Sequence, residues 1–92
     1  MEWKLFADLA EHAGDREVTV DVESGQTVED ALSALLSDRP DLRERVLDDD
    51  GELRSQINVL RNGKDVQTQA AGLETELDAD DELALFPPVS GG

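Results

Sequence analysis

Apolar and polar residues alternate from Glu2 to Ala7, with Trp3 and Leu5 on one face and Lys4 and Phe6 on the other. This is the period of a half-buried strand. Ala13-Gly14-Asp15 reads as a turn. Val18, Val20 and Val22 alternate with Thr19 and Asp21, which predicts a second strand with β-branched residues on one face. Ser24-Gly25 turns the chain again, and the first two strands are expected to pair as a hairpin. Thr27 is placed to cap a helix, with Asp30 three residues on in a variant of the capping box. Val28, Ala31, Leu32, Leu35 and Leu36 then form one apolar helical face. Asp38-Arg39-Pro40 should end that helix, and Pro40 starts a short helical turn through Leu42 and Val46.

Asp48-Asp49-Asp50-Gly51 reads as a turn; it lacks the full spacing and distal Glu of a calcium loop. Ile57 to Arg61 predicts a third strand with Ile57 and Val59 inward. Asn62-Gly63 is a two-residue hairpin signal leading into a short strand over Lys64 to Val66. Gln67 to Glu76 reads as a polar connection pinned by Leu73 and Leu77. Asp80-Asp81 turns into a last strand, Glu82 to Phe86, with Leu83 and Leu85 inward. The order β-β-α-β-β-β predicts an α+β fold: one main helix across one face of a mixed sheet of four to five strands. The first and last strands are the most apolar and are expected to be central neighbours. Residues 1–86 form the domain and 87–92 an extended tail.

Strand parity places Phe6, Leu60, Ala84 and Phe86 on the face away from the helix. Both phenylalanines of a chain with three aromatics would then be exposed. A cluster of two Phe and a Leu at the root of the tail fits a docking patch for a partner. The alternative is a second minor core under the loop after Val66.

The tail Pro87-Pro88-Val89-Ser90-Gly91-Gly92 follows the last strand without a linker. Its two prolines favour an extended path and stop the sheet from continuing. The tail reaches roughly 20 Å from the body. Gly91 and Gly92 carry no side chain and fit a channel that any Cβ would block. The bland alternative is a frayed terminus.

Twenty-three acidic residues against eight basic ones give a net charge of −15. Nucleic-acid and anionic-membrane binding are not expected. An acidic interaction surface, disorder and adaptation to high salt compete to explain the charge. The periodicities argue against disorder, and the spread of acid along the whole chain favours high salt. The chain has no cysteine, which removes disulfides and thiol chemistry. No apolar run is long enough to span a membrane, and no signal peptide is recognised, so a cytoplasmic protein is expected. The single histidine, His12, has no convincing catalytic partners, and no glycine-rich phosphate loop is present. The chain is expected to be no enzyme; its reactive group is its own terminus.

The segment Asp81-Glu82-Leu83-Ala84-Leu85-Phe86-Pro87-Pro88-Val89-Ser90-Gly91-Gly92 resembles the C-terminus of the MoaD/ThiS-type ubiquitin-like β-grasp proteins. The start Met1 to Glu11 and the run Ile57 to Gly63 are similar as well, and the likeness is to the small archaeal modifier proteins of haloarchaea. The resemblance implies that an E1-like enzyme adenylates the Gly92 carboxylate with ATP. The activated terminus would then become a thiocarboxylate, the sulfur donor to a MoaE-like subunit of molybdopterin synthase. Alternatively, it would be joined by an isopeptide bond to lysines of target proteins. It implies a monomer without its own cofactor or metal, a tail from Pro87 to Gly92 that enters a partner, and a partner surface at Phe6, Leu60 and Phe86. A binding module whose tail inserts non-covalently into a partner's active site is the other reading.

The charge makes a direct prediction. Self-repulsion at −15 is screened by ions. The thermal midpoint is expected to rise steadily from low salt to molar potassium chloride; a flat or falling midpoint would assign the acidity to a partner surface instead.

Overall fold

The computed structural model describes residues 1–54, 57–69 and 71–87. Five strands form one mixed sheet. They are β1 (Glu2–Leu5), β2 (Glu17–Thr19), β3 (Asn58–Arg61), β4 (Lys64–Asp65) and β5 (Glu82–Phe86). Their spatial order is β2-β1-β5-β3-β4, so the first and last strands are central neighbours, as their apolar content predicts. β1 and β5 run parallel, with Trp3 opposite Leu83 and Leu5 opposite Leu85. β2 pairs antiparallel with β1, and β3 antiparallel with both β5 and β4.

The inward face of this sheet is Val18, Trp3, Leu5, Leu83, Leu85 and Val59, all buried. Helix α2 (Val28–Asp38) covers it with Val28, Ala31, Leu32, Leu35 and Leu36, the five residues whose spacing predicts that face. The indole of Trp3 is fully buried, and its Nε1–H donates to the Ala31 carbonyl at 3.1 Å, so no polar atom is stranded beneath the helix. The capping box forms as expected: Thr27 Oγ1 accepts from the Asp30 N–H, and Asp30 Oδ2 accepts from the Thr27 N–H at 3.0 Å. A shorter carboxylate thus does the work usually given to Glu. Pro40 ends the helical segment and opens a 3-10 turn, Pro40–Leu42, that runs into α3 (Arg43–Val46) and buries Leu42 and Val46.

The structure corrects three expectations. β1 and β2 pair antiparallel as expected, but the chain between them is more than a turn: it forms helix α1 (Asp8–Ala13). Asp8-Leu9-Ala10-Glu11-His12-Ala13 is made of residues that tolerate a helix, Leu9 anchors it in the core, and Gly14 ends it at φ 84°. His12 sits exposed on α1. β2 stops at Thr19, although Val20 remains buried and exchanges hydrogen bonds with Met1. β4 stops at Asp65; Val66 is the buried first residue of α4 (Val66–Gln69), and a 3-10 turn, Gly72–Glu74, follows. The polar connection is thus partly helical, opened by Asp65, whose carboxylate accepts from the Gln67 N–H at 2.8 Å. Leu77 pins it as expected, fully buried, and Leu73 packs against the core from its edge. Asn62 and Gly63 both take positive φ, 52° and 84°, which the hairpin between β3 and β4 requires.

Asp81 fixes where β5 begins. Its nearly buried carboxylate accepts from Arg61 Nε at 2.7 Å, Asn62 Nδ2 at 2.8 Å and the Asp78 N–H at 2.8 Å. Burial pushes this carboxyl upward, but the Asp78 N–H and then the Arg61 and Asn62 donors outweigh it and hold the group below the usual carboxylate range. A depressed folded-state value adds stability above the unfolded carboxyl range, and this is lost as pH falls through the folded value. Asp81→Ala is expected to lower unfolding free energy by about 2 kcal/mol, because it removes the acceptor of Arg61 Nε, Asn62 Nδ2 and the Asp78 N–H, Arg61 keeping only Asp78 as a carboxylate partner at 3.7 Å. Urea titrations should also show a weaker acid-side loss of stability in the variant than in the parent; equal stability and equal acid slope would remove this latch from the account.

Candidate docking face at the root of the tail

The register sets the outer face row by row. One row reads Glu17, Lys4, Ala84, Leu60 and Asp65 across all five strands. Leu60 is half-buried and opposite Ala84, whose methyl leaves its flank open. Lys4 pairs with Glu82 of the adjacent strand at 2.9 Å. That hydrogen bond, and the charge behind it, hold the ammonium of this exposed lysine above its ordinary value.

The next row contains the aromatics. Because β1 and β5 are parallel with Leu5 opposite Leu85, the residues that follow, Phe6 and Phe86, fall side by side on the outer face. Their rings stack with centroids 4.1 Å apart and planes 8° from parallel. Phe6 is 38% exposed, the one large hydrophobic side chain so exposed among the described residues, and Phe86 is half-buried. Asn58 stands opposite Phe86 on β3, and Leu60 lies diagonally behind it. The structure thus brings Phe6 and Phe86 into contact, with Leu60 on the same face. Pro87 follows directly, half-buried. Pro88, Val89, Ser90, Gly91 and Gly92 lie outside the described residues.

Behind Phe6 the backbone turns sharply. Ala7 adopts φ 54° and ψ −132°, a region that side chains rarely enter, and it caps α1 without a side-chain bond. Strain of this kind costs on the order of 1–3 kcal/mol and is held by its surroundings. Here the surroundings are Leu5 and Leu9, both buried on either side.

On the other side of the root lies a groove of about 790 Å³. Pro87 lines it together with Asp8, Arg43, Arg45, Asp48 and Arg54. The Asp48 turn forms as expected; its carboxylate caps it by accepting from the Asp50 and Glu52 N–H groups at 2.9 and 3.0 Å. No group of three or more His, Cys, Asp or Glu among the described residues is placed to hold a metal ion. No helix among them is long and apolar enough to cross a membrane.

A strand-centred body with an aromatic root and a glycine-ended tail matches a known family: the ThiS family model aligns with residues 3–92. The chain belongs to the ThiS family. It is 62% identical over 92 residues to small archaeal modifier protein 1 of Haloferax volcanii, covering all of both chains. The crystal structure of that Haloferax protein superposes with a TM-score of 0.90 at 61% identity, covering 100% of this chain and 98% of the other. A protein of Archaeoglobus fulgidus whose name describes a sulfur carrier is 39% identical over 75 residues, covering 79% of this chain and 83% of its own. The fold is therefore the ubiquitin-like β-grasp, and this member of the ThiS family is a homologue of small modifiers and sulfur carriers rather than of enzymes.

Sequence parity finds Phe6, Leu60 and Phe86. It misses the arginine groove, for which the only signal is that three of the six arginines fall between residues 43 and 54. It also misses the Ala7 turn, since nothing in an alanine announces a positive φ. Replacing Ala7 with Gly relieves the strain at the cost of a more flexible unfolded chain. Ala7→Gly is expected to raise unfolding free energy by about 1 kcal/mol in urea. A drop in stability would mean that Ala7 is not strained.

Proposed function

We propose that the Gly92 carboxylate is the chemical business end of the protein and that the sheet's outer face delivers it. A free carboxylate is a poor acyl donor. An E1-like enzyme would supply ATP: a Gly92 carboxylate oxygen attacks the α-phosphorus, the α–β phosphoanhydride bond breaks, and pyrophosphate leaves. The resulting acyl-adenylate is attacked at its carbonyl. Sulfur at the oxidation level of hydrosulfide expels AMP, loses its proton and yields a thiocarboxylate, the donor for a MoaE-like large subunit. A lysine amine of a target protein expels AMP, loses a proton and yields an isopeptide. Both fates use the same activated carbonyl, and ATP belongs to the activating enzyme rather than to this chain. A chemistry that depends on ATP and on reduced sulfur fits the cytoplasm.

One observation carries this reading: the Phe6–Phe86 stack lies at the root of the tail, one residue before Pro87, on the solvent face of the central strand. Family membership over residues 3–92 supports it. A partner that covers Phe6, Leu60 and Phe86 stands where the chain leaves β5 at Pro87, and would take up Pro88, Val89, Ser90, Gly91 and Gly92 from there. The thin Gly91-Gly92 tip fits a narrow active-site channel.

Deleting Gly91 and Gly92 is expected to leave the thermal midpoint unchanged while abolishing covalent adducts and thiocarboxylate, read by intact mass. A deleted chain that still forms adducts would contradict the proposal, and one that still binds the enzyme and regulates it would favour the non-covalent module. Leu60→Arg is expected to weaken the complex with the activating enzyme by about 1 kcal/mol or more while the chain stays folded. Unfolding of that variant would return Leu60 to a minor core.

A further inference from the structure

The groove beside Pro87 departs from the rest of the surface in its charge. It holds three of the chain's eight basic residues, Arg43, Arg45 and Arg54, but only four of its 23 acidic ones. Two of those four are already engaged. Asp8 pairs with Arg45 at 3.3 Å, and Asp48 caps its own turn. Arg54 places its Nε–H on the Glu44 backbone carbonyl at 3.2 Å, a neutral acceptor, and makes no ion pair among the described residues. Arg43 is exposed and makes none either. Lys4, Arg39, Arg45 and Arg61, by contrast, are all paired with carboxylates. Arg16 and Lys64 also make no ion pair among the described residues, but each lies elsewhere on the surface; Arg43 and Arg54 are two unpaired guanidinium groups that share one groove.

We infer that this groove is a second docking surface, and that it takes an acidic segment of the enzyme that receives the tail. The inference rests on the function proposed above. Three arguments support it. Pro87 and Asp8 line the groove and are chain neighbours of the Phe86 and Phe6 region, so the groove and the aromatic face are two banks of one tail root. An enzyme that threads the tail from Pro87 onward meets both banks. A guanidinium fork matches a carboxylate bidentately, in contact geometry. Such contacts persist at molar salt, where the Debye length is about 3 Å and longer-range attraction is gone. Elsewhere the chain, at net −15, offers mostly carboxylates at contact range, so the two unpaired guanidinium groups of the groove are where an acidic segment finds donors.

Affinity of the full-length chain for the purified E1-like enzyme, measured by calorimetry at fixed salt with and without ATP, tests this. Arg43→Glu and Arg54→Glu are each expected to raise Kd about ten-fold or more. Arg43→Gln and Arg54→Gln should raise it by less, and Lys64→Glu, the same change of charge on edge strand β4, less than about two-fold. All positions are exposed, and unchanged thermal midpoints confirm folding. Equal losses for Lys64→Glu and the arginine variants would mean general repulsion and overturn the inference. Unchanged affinity in the arginine variants would overturn it too. Losses confined to the ATP-bound enzyme would assign the forks to phosphate and overturn the carboxylate partner. Failure of the parent chain to bind at all would instead fell the proposed function, and the inference with it.

Discussion

The parallel pairing of β1 with β5 is the contact on which the rest depends. It joins the first strand of the chain to the last and buries both at the centre of the sheet. Such a pair closes only when nearly the whole chain is in place, so its loop-closure cost is set against burial of Trp3, Leu5, Leu83 and Leu85 under α2. The functional consequence is geometric. A strand with neighbours on both sides ends in a fixed position and direction, and the tail root inherits both. The same register carries Phe6 and Phe86 one step past Leu5 and Leu85, into a stack on the outer face.

The two faces of the sheet divide the labour. The inner face is apolar in every central strand and satisfies its single buried indole on a helix carbonyl. The outer face mixes one paired lysine, acidic residues and a small apolar patch. A chain of net −15 with little apolar surface to spare keeps its exposed aromatics at one place, beside the tail. Two devices hold that place. The Asp81 carboxylate ties Arg61, Asn62 and Asp78 together at the start of β5. The Ala7 turn redirects the chain just after Phe6.

Most of this architecture is legible in the sequence because its signals are periodic. Alternation marks β1, β3 and β5, the spacing from Val28 to Leu36 marks α2, and Thr27, Asp30, Pro40 and Asn62-Gly63 mark its boundaries and the hairpin. Parity alone then separates Trp3 and Leu5 from Phe6. What escapes is short or irregular. α1 has six residues, too few to show a period, and its one core anchor, Leu9, reads equally well as loop. Val66 ends a strand by alternation but starts α4, because Asp65 caps the turn. The arginine groove is assembled from α1, α3, the Asp48 turn and Pro87, and only the tertiary fold brings them together. The strain at Ala7 comes from its own Cβ at positive φ, a conformation that its buried neighbours on either side impose and that an alanine does not announce.

The central claim is that this fold is a handle for one reactive carboxylate. ATP–pyrophosphate exchange by the E1-like enzyme reads formation of the acyl-adenylate without requiring any later step. The account predicts exchange that depends on the added chain and disappears when the Gly92 carboxylate is blocked as a carboxamide, while the blocked chain still competes for binding through its docking face. Exchange that continues with the carboxamide would contradict the account.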